Sequence, residues 1–308
     1  MEHLKRGISM QSNISLSGGK SSKKTTRNLA RNRKRLPTRI LIFMIFAFIA
    51  VIVLIPFYTL FISTFKDGAL VIANGMDVSI DTAKMSLKNY IILFTEKNSL
   101  FTWFFNSLFL TLVQVILQLF ISAFVAYGFA MYDFKGKNFL FICVLFVMMV
   151  PFEILMLPLY NQISDMHLTN TYAGIILPTI ASASTIFFFR QYLSGIPRDL
   201  VEAGRIDGAS EYGIFFRLIL PIMKPSFAAM AILNAMFSWN NLLWPMLVLK
   251  DSGKFTLPIG LNTLLTPYGN NYNLLFVGSF VSIIPVFILF ACFQKYFVEG
   301  MTAGAVKG

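Results

Sequence analysis

Two adjacent carboxamides sit between two indoles in the run Phe237-Ser238-Trp239-Asn240-Asn241-Leu242-Leu243-Trp244-Pro245, inside an otherwise apolar stretch. A carboxamide both donates and accepts hydrogen bonds. Asn240 and Asn241 therefore suit a hydroxyl-rich solute, with Trp239 and Trp244 offering flat faces to its C–H groups. Anchoring at a membrane interface is the other use of such a tryptophan, and it fits Trp244 beside Pro245. Glu153 is the one acidic or basic side chain within an apolar run. A charge at a bilayer centre costs about 2.5–3.5 kcal/mol on insertion scales. Two roles fit Glu153: a gate or pathway residue facing a wet cavity, and a carboxylate reaching the interface. Ser182, Ser184 and Thr185 add hydroxyls in one run, and Gly278, Ser279 and Ser282 add small residues in another. Gly278 and Ser282 suit close helix packing; Ser279 is open to packing or to solute. These groups are mostly neutral, which favours an uncharged polyhydroxylated solute over an ion or amino acid.

The elements that must hold these residues follow from composition. The chain is 56% hydrophobic and only 13% charged, with mean hydropathy +0.68. A soluble domain carries about 25% charged residues. The apolar residues fall into blocks long enough to span a bilayer, about 20 residues each: Ile40–Ser63, Trp103–Met131, Asn138–Tyr160, Tyr172–Phe189, Ser226–Val248 and Leu274–Phe293. The fold class expected is an all-α membrane protein with six transmembrane helices. Eleven Lys and Arg residues up to Arg39 face one acid, Glu2. Lys135, Lys137, Arg190, Arg198, Arg205, Arg217 and Lys224 gather in two later loops. By the positive-inside rule both termini are cytoplasmic. Residues 1–39 form a basic tail suited to anionic lipid, and 40–308 the membrane domain. At about 1.5 Å per residue, Glu153 lies roughly 22 Å along the third span, with Pro151 and Pro158 expected to break the helix on either side of it.

The polar interruption Glu202–Pro221 reads EAGRIDGASEYGIFFRLILP. Pro197 suits a first helical turn, and Leu200, Ala203 and Ile206 share one face at i, i+3, i+6. Gly208 suits the left-handed residue that ends a helix. Ser210 can cap a second short helix through Leu218, which Pro221 then stops. The spacing Glu202-Ala203-Gly204, Gly208, Leu218, Leu220-Pro221 resembles the EAA loop of ABC-importer permeases, with Gly204 and Leu218 where Ala and Ile are usual. The Trp239–Pro245 run and the segments His167–Pro178 and Gln294–Gly308 are similar to carbohydrate (maltose-type) permeases. The resemblance implies that the 197–221 loop is a cytoplasmic helix-turn-helix that docks an ATPase, with Glu202, Ala203, Gly204, Asp207, Gly208, Leu220 and Pro221 coupling it. It also implies a second homologous permease chain, two ATPase subunits carrying ATP and Mg, an external solute-binding protein, and a bacterial inner membrane.

Other functions find less support. Ser17-Gly18-Gly19-Lys20-Ser21 lacks the first P-loop glycine and a preceding strand. His3 and His167 stand alone, Cys143 and Cys292 lie in apolar blocks, and no catalytic or metal spacing occurs. The chain reads as a transport subunit rather than an enzyme, with no cofactor of its own and no nucleic-acid partner. The alternatives are an ABC permease for a peptide or polyamine, and an ion-driven secondary transporter, which would ordinarily carry internal repeats.

Overall fold

The computed structural model describes residues 39–75, 79–83, 85–95, 99–266 and 269–303, and these are predominantly helical. The basic tail before Arg39 and the end of the C-terminal segment after Ala303 lie outside the described residues. Two units divide after Leu60. The first contains most of helix α1 (Arg39–Ser63), whose Ile40, Phe43, Phe46 and Phe48 are exposed. Exposed apolar surface on this scale belongs against hydrocarbon or another protein.

The second unit begins with two short helices, α2 (Gly68–Asn74), capped by Asp67, and α3 (Lys88–Thr95). Then comes α4 (Leu100–Met131), 32 residues without a break. Its Phe105, Phe109, Leu112 and Ile116 are exposed, while Ser107, Thr111, Gln114, Gln118 and Ser122 are buried. Those five recur every three or four residues, so they form one face of the helix. The face that a soluble amphipathic helix turns to water is here turned into the bundle.

Broken helices surround α4. Helices α5 (Lys137–Met149) and α6 (Phe152–Asp165) meet at 101°. Next, α7 (Tyr172–Ile176), extended by a 3-10 turn to Thr179, meets α8 (Ala183–Leu193) at 44°. After α9 (Asp199–Ile206), the run α10 (Glu211–Ile214), a π turn (Phe215–Ile219) and α11 (Leu220–Ile222) meets α12 (Lys224–Trp239) at 77°. Short helices α13 (Leu243–Val248) and α14 (Leu257–Thr263) and a small hairpin, Leu265–Thr266 with Gly269–Asn270, lead into α15 (Tyr272–Ala303). Among the described residues, α1, α4 and the Tyr272–Lys295 part of α15 are long and apolar enough to cross a membrane; the number reaches six if each bent pair is one span.

These breaks revise several expectations. The block Asn138–Tyr160 is not one straight helix, so the 22 Å depth for Glu153 does not hold. Pro151, which lacks an N–H and restricts its neighbour, stands at the bend, whereas Pro158 lies inside α6 without ending it. The block Ser226–Val248 stops at Trp239 and restarts at Leu243. Pro221 does not stop the second loop helix, which continues to Ile222. The π turn just before it changes the hydrogen-bond register where the proline has no N–H to give.

Large side chains close the bundle at both ends. Phe189, Leu193, Val201, Ile214, Phe215 and Ile219 pack together beside the 197–221 loop. Elsewhere Trp244 packs with Ile175, Val248 and Ile259. The indole of Trp103, pinned by its Nε1–H to the Ser252 carbonyl at 2.9 Å, lies flat on Gly260. A methyl group at 260 would sit 2.0 Å from Trp103 Cε3. Gly260→Ala should therefore destabilise the solubilised protein by about 1–3 kcal/mol, the usual cost of overpacking. Gly128→Ala in α4, where the added carbon meets nothing within 4 Å, should be neutral or stabilising by about 0.5–1 kcal/mol. Thermal unfolding of the two variants checks the contrast, and equal midpoints would contradict this packing.

Candidate functional site

Two sets of residues can carry function, and the first is the 197–221 loop. Helix α9 begins just after Pro197, with Asp199 and Glu202 in its first turn, where carboxylates complement the helix dipole. Gly208 takes φ +77°. The amide of Ala209 donates to the Gly204 carbonyl at 3.0 Å and that of Gly208 to Arg205 at 3.0 Å, a Schellman closure that needs a residue without a Cβ at its left-handed position. Ser210 Oγ accepts from the Gly213 amide at 3.2 Å and starts α10. The turn and both caps are as the sequence predicts.

The buried face of α9 is different from the one expected. Val201 and Gly204 are buried, whereas Ala203 is exposed and Ile206 is 85% exposed. Gly204 decides this: a carbon added there would lie 3.0 Å from both Ile214 Cγ1 and Leu218 Cδ1. Its missing side chain lets the second helix of the loop cross the first at that point. The small pair Ala203-Gly204 therefore divides its work, with glycine inward and alanine outward. Ala203, Ile206 and Tyr212 are each exposed. Glu202 is also exposed, and its carboxylate makes no hydrogen bond or salt bridge among the described residues. Asp207 and Gly208 are exposed on the turn, while Leu220 is half-buried and Pro221 exposed beyond the π turn.

Charged residues just after α4 fasten this loop. Asp133 accepts from Arg198 Nη1 at 2.6 Å and from Lys137 Nζ at 3.0 Å. Lys137 Nζ also donates to the Tyr132 carbonyl at 2.7 Å, and Arg198 Nη2 to the Ala130 carbonyl at 3.3 Å. Arg205 Nε pairs with Glu211 at 2.6 Å, and the Tyr132 hydroxyl donates to the same carboxylate. The hydrogen bonds from Arg198 and Lys137 pull the Asp133 carboxyl down to about 2. Those from Arg205 and Tyr132 lower Glu211.

The second set is the polar seam within the bundle. Gln114 Nε2 donates to Thr179 Oγ1 at 2.8 Å, and its Oε1 accepts from Ser238 Oγ at 2.9 Å. Gln118 Nε2 donates to the Thr179 carbonyl at 2.5 Å. Asn234 Nδ2 donates to Thr185 Oγ1 at 3.1 Å, and that hydroxyl donates to Ser182 Oγ at 3.0 Å. Gln114, Gln118 and Asn234 are absent from the sequence-based candidates. For Gln114 and Gln118, regular spacing with Ser107, Thr111 and Ser122 in an apolar run is the signal that finds them; Asn234, in α12, has no such signal.

Of the expected pathway residues, Trp239 and Asn240 line one open cleft of about 340 Å³, together with Leu257, Asn262, Leu275 and Ser282. Trp239 Nε1 donates to the Ser282 carbonyl at 3.1 Å. Asn240 Nδ2 turns back to the Met236 carbonyl at 2.9 Å, and Asn241 Oδ1 accepts from the Trp244 amide at 3.4 Å. The paired carboxamides thus bracket the break between α12 and α13. Asn240 Oδ1 and Asn241 Nδ2 are left without partners among the described residues. Trp244 is fully buried, its Nε1–H on the Ile175 carbonyl at 3.2 Å, so it offers no face to solute in this conformation. Ser279 is half-buried outside the cleft lining, and Glu153 is exposed in the first turn of α6, also outside it.

The family model described as binding-protein-dependent transport system inner membrane component matches residues 118–303, and the chain belongs to that family of membrane proteins. It is 51% identical over 263 residues to the arabinooligosaccharides transport system permease protein of Halalkalibacterium halodurans, covering 85% of this chain and 94% of that one. The lactose transport system permease protein of Rhizobium radiobacter is 33% identical, covering 89% and 98%. A solved bacterial ABC transporter involved in importing the acidic polysaccharide alginate matches 86% of this chain and 98% of its own, with TM-score 0.74 and 23% identity. That last likeness concerns the fold.

The carboxylate pairs fix a pH dependence. A carboxyl group whose pKa is lower in the folded state stabilises at pH above its unfolded value, about 4, and that stabilisation is lost as pH falls towards the folded value. Asp133 and Glu211 should therefore hold the loop equally well from pH 8 to 5 and let go only below about pH 4. Hydrogen exchange of amides 198–214, corrected for intrinsic rate, checks this; loosening between pH 8 and 5 would contradict it.

Proposed function

We propose that this chain is a translocating subunit of an ATP-driven importer for a neutral sugar or oligosaccharide. The observation that carries the reading is the 51% identity, over most of both chains, to an arabinooligosaccharide permease. The seam and cleft support it chemically, because their polar groups are carboxamides and hydroxyls. The 197–221 loop, on the cytoplasmic side with both termini, receives one of two ATPase subunits that bind ATP and Mg. Ala203, Ile206 and Tyr212 supply an apolar contact and the exposed Glu202 a charge for a basic group opposite. Asp207 and Gly208 shape the turn, and Leu220-Pro221 carries the loop into α12. A second homologous permease chain completes the pathway, and an external solute-binding protein delivers the sugar. Six spans follow if α5–α6 and α7–α8 each cross the bilayer once and α12 with α13 forms the fifth span, leaving Glu211–Ile222 in the cytoplasmic loop.

In this reading solute passes Trp239 and the unsatisfied faces of Asn240 and Asn241. The break in the helix there exposes side-chain polar groups without a charge, which suits a hydroxylated solute that must be released again. ATP-driven closure of the ATPases moves the loop, and the bundle rocks around α4.

Two experiments test the halves separately. Gly208→Val forces a β-branched residue to positive φ, a strained conformation, and Glu202→Lys reverses an exposed charge. Both should insert normally yet lower solute-stimulated ATP hydrolysis in the reconstituted complex about tenfold or more, a loss of about 1.4 kcal/mol of coupling. Wild-type stimulation in both would remove the loop from the mechanism. Asn240→Leu with Asn241→Leu should cut oligosaccharide uptake while leaving basal ATP hydrolysis intact, and unchanged uptake kinetics would exclude these carboxamides from the pathway.

A further inference from the structure

We propose that the dipeptide Tyr132-Asp133 is the strut through which the 197–221 loop drives α4. Both short helices of the loop are tied to these two residues. Asp133 holds Arg198 at the start of α9 through both terminal guanidinium nitrogens, Nη1 at 2.6 Å and Nη2 at 3.4 Å. Tyr132 donates to Glu211 at the start of α10, and Glu211 in turn holds Arg205 at the end of α9. The Arg205 guanidinium also lies over the Tyr132 ring, 5.5 Å from its centre. Lys137, at the start of α5, closes the far side of Asp133. Three points of the loop, one at each end of α9 and one at the start of α10, therefore converge on the residues that directly follow α4.

The exposure of these groups says what the strut is for. Asp133 and Arg198 side chains are 72% and 49% exposed, and exposed ion pairs add little stability. Three linked attachments instead fix orientation, so the loop cannot turn without carrying the end of α4. That helix runs unbroken to Gln118 and Gln114, which hydrogen-bond Thr179 at the end of α7, and to Ser107, which holds the start of α14. A rigid element with attachments at both ends is a physical route for coupling. Tyr132 and Asp133 are positioning residues: they touch neither solute nor nucleotide.

This inference rests on the loop being the ATPase-coupling element, and the experiment separates the two. The reconstituted complex would carry Asp133→Ala, Arg198→Ala, the double variant, and Asp133→Glu. Each single alanine variant should keep wild-type ATPase stoichiometry and basal hydrolysis, yet lower sugar transported per ATP by about fivefold or more, the scale of ordinary coupling between sites. The double variant should be no worse than either single one, because the pair acts as a unit, and Asp133→Glu should restore most of the coupling. Wild-type transport per ATP in Asp133→Ala, additive losses in the double variant, or release of the ATPase would each overturn the strut. Glu202→Lys and Gly208→Val run beside these: if they uncouple and Asp133→Ala does not, the strut alone fails. If none of them uncouples, the loop assignment fails with it. Thermal unfolding of every variant guards against misfolding, since a strut defect leaves the midpoint near wild type and a packing defect lowers it.

Discussion

Backbone N–H and C=O groups within hydrocarbon must find partners in the protein, and this constraint organises the whole bundle. The chain breaks its helices at 150–151, 180–182 and 240–242, and each break removes backbone hydrogen bonds that an unbroken helix makes for itself. Helix α4 answers part of that need at Thr179 and also fastens the irregular 252–257 segment. Gln118 reaches the Thr179 carbonyl, Asn106 the carbonyls of Gly253 and Phe255, and Trp103 that of Ser252. Ser107 accepts from the Leu257 amide. The polar face of α4 is thus a column of side chains to which the irregular segments are fastened, and the lipid-like face opposite is phenylalanine, leucine and isoleucine.

The same column links structure to transport. A membrane protein made only of straight apolar helices has no polar groups to offer a solute. Breaking helices frees such groups, and a neutral column permits the breaks without charges that would hold a sugar or attract ions. The cost is that α4 cannot move alone: displacing it disturbs its hydrogen bonds to Thr179, to Ser238 and to the 252–257 segment. In the proposed rocking mechanism, α4 is therefore the natural axis, because its side chains are packed and bonded to the neighbouring segments.

Much of this was legible in the residues. Blocks of about 20 apolar residues marked the three helices long and apolar enough to cross a membrane, and Gly208 and Ser210 marked the turn and cap of the loop because left-handed backbone and N-caps demand particular side chains. The bends were less legible: a run such as Asn138–Tyr160 has the same apolar composition straight or folded at 101°. Pro151 and Pro158 look alike in sequence, yet only the first coincides with a change of direction. The inward face of α9 also escaped, since periodicity favoured Leu200, Ala203 and Ile206, while close approach at Gly204 turned Val201 inward instead. Asn240 and Asn241 had a local role, bracketing a helix break, that no spacing rule reveals. The polar face of α4 was plain in its spacing but carries no charge, and charges draw attention first.

The most direct measurement is oligosaccharide uptake into proteoliposomes holding the whole complex with its solute-binding protein outside. ATP would be enclosed or omitted, and ionophores would collapse proton and sodium gradients in each case. The account predicts uptake that requires enclosed ATP and survives the ionophores. Uptake that proceeds without ATP and stops when the gradients collapse would contradict it.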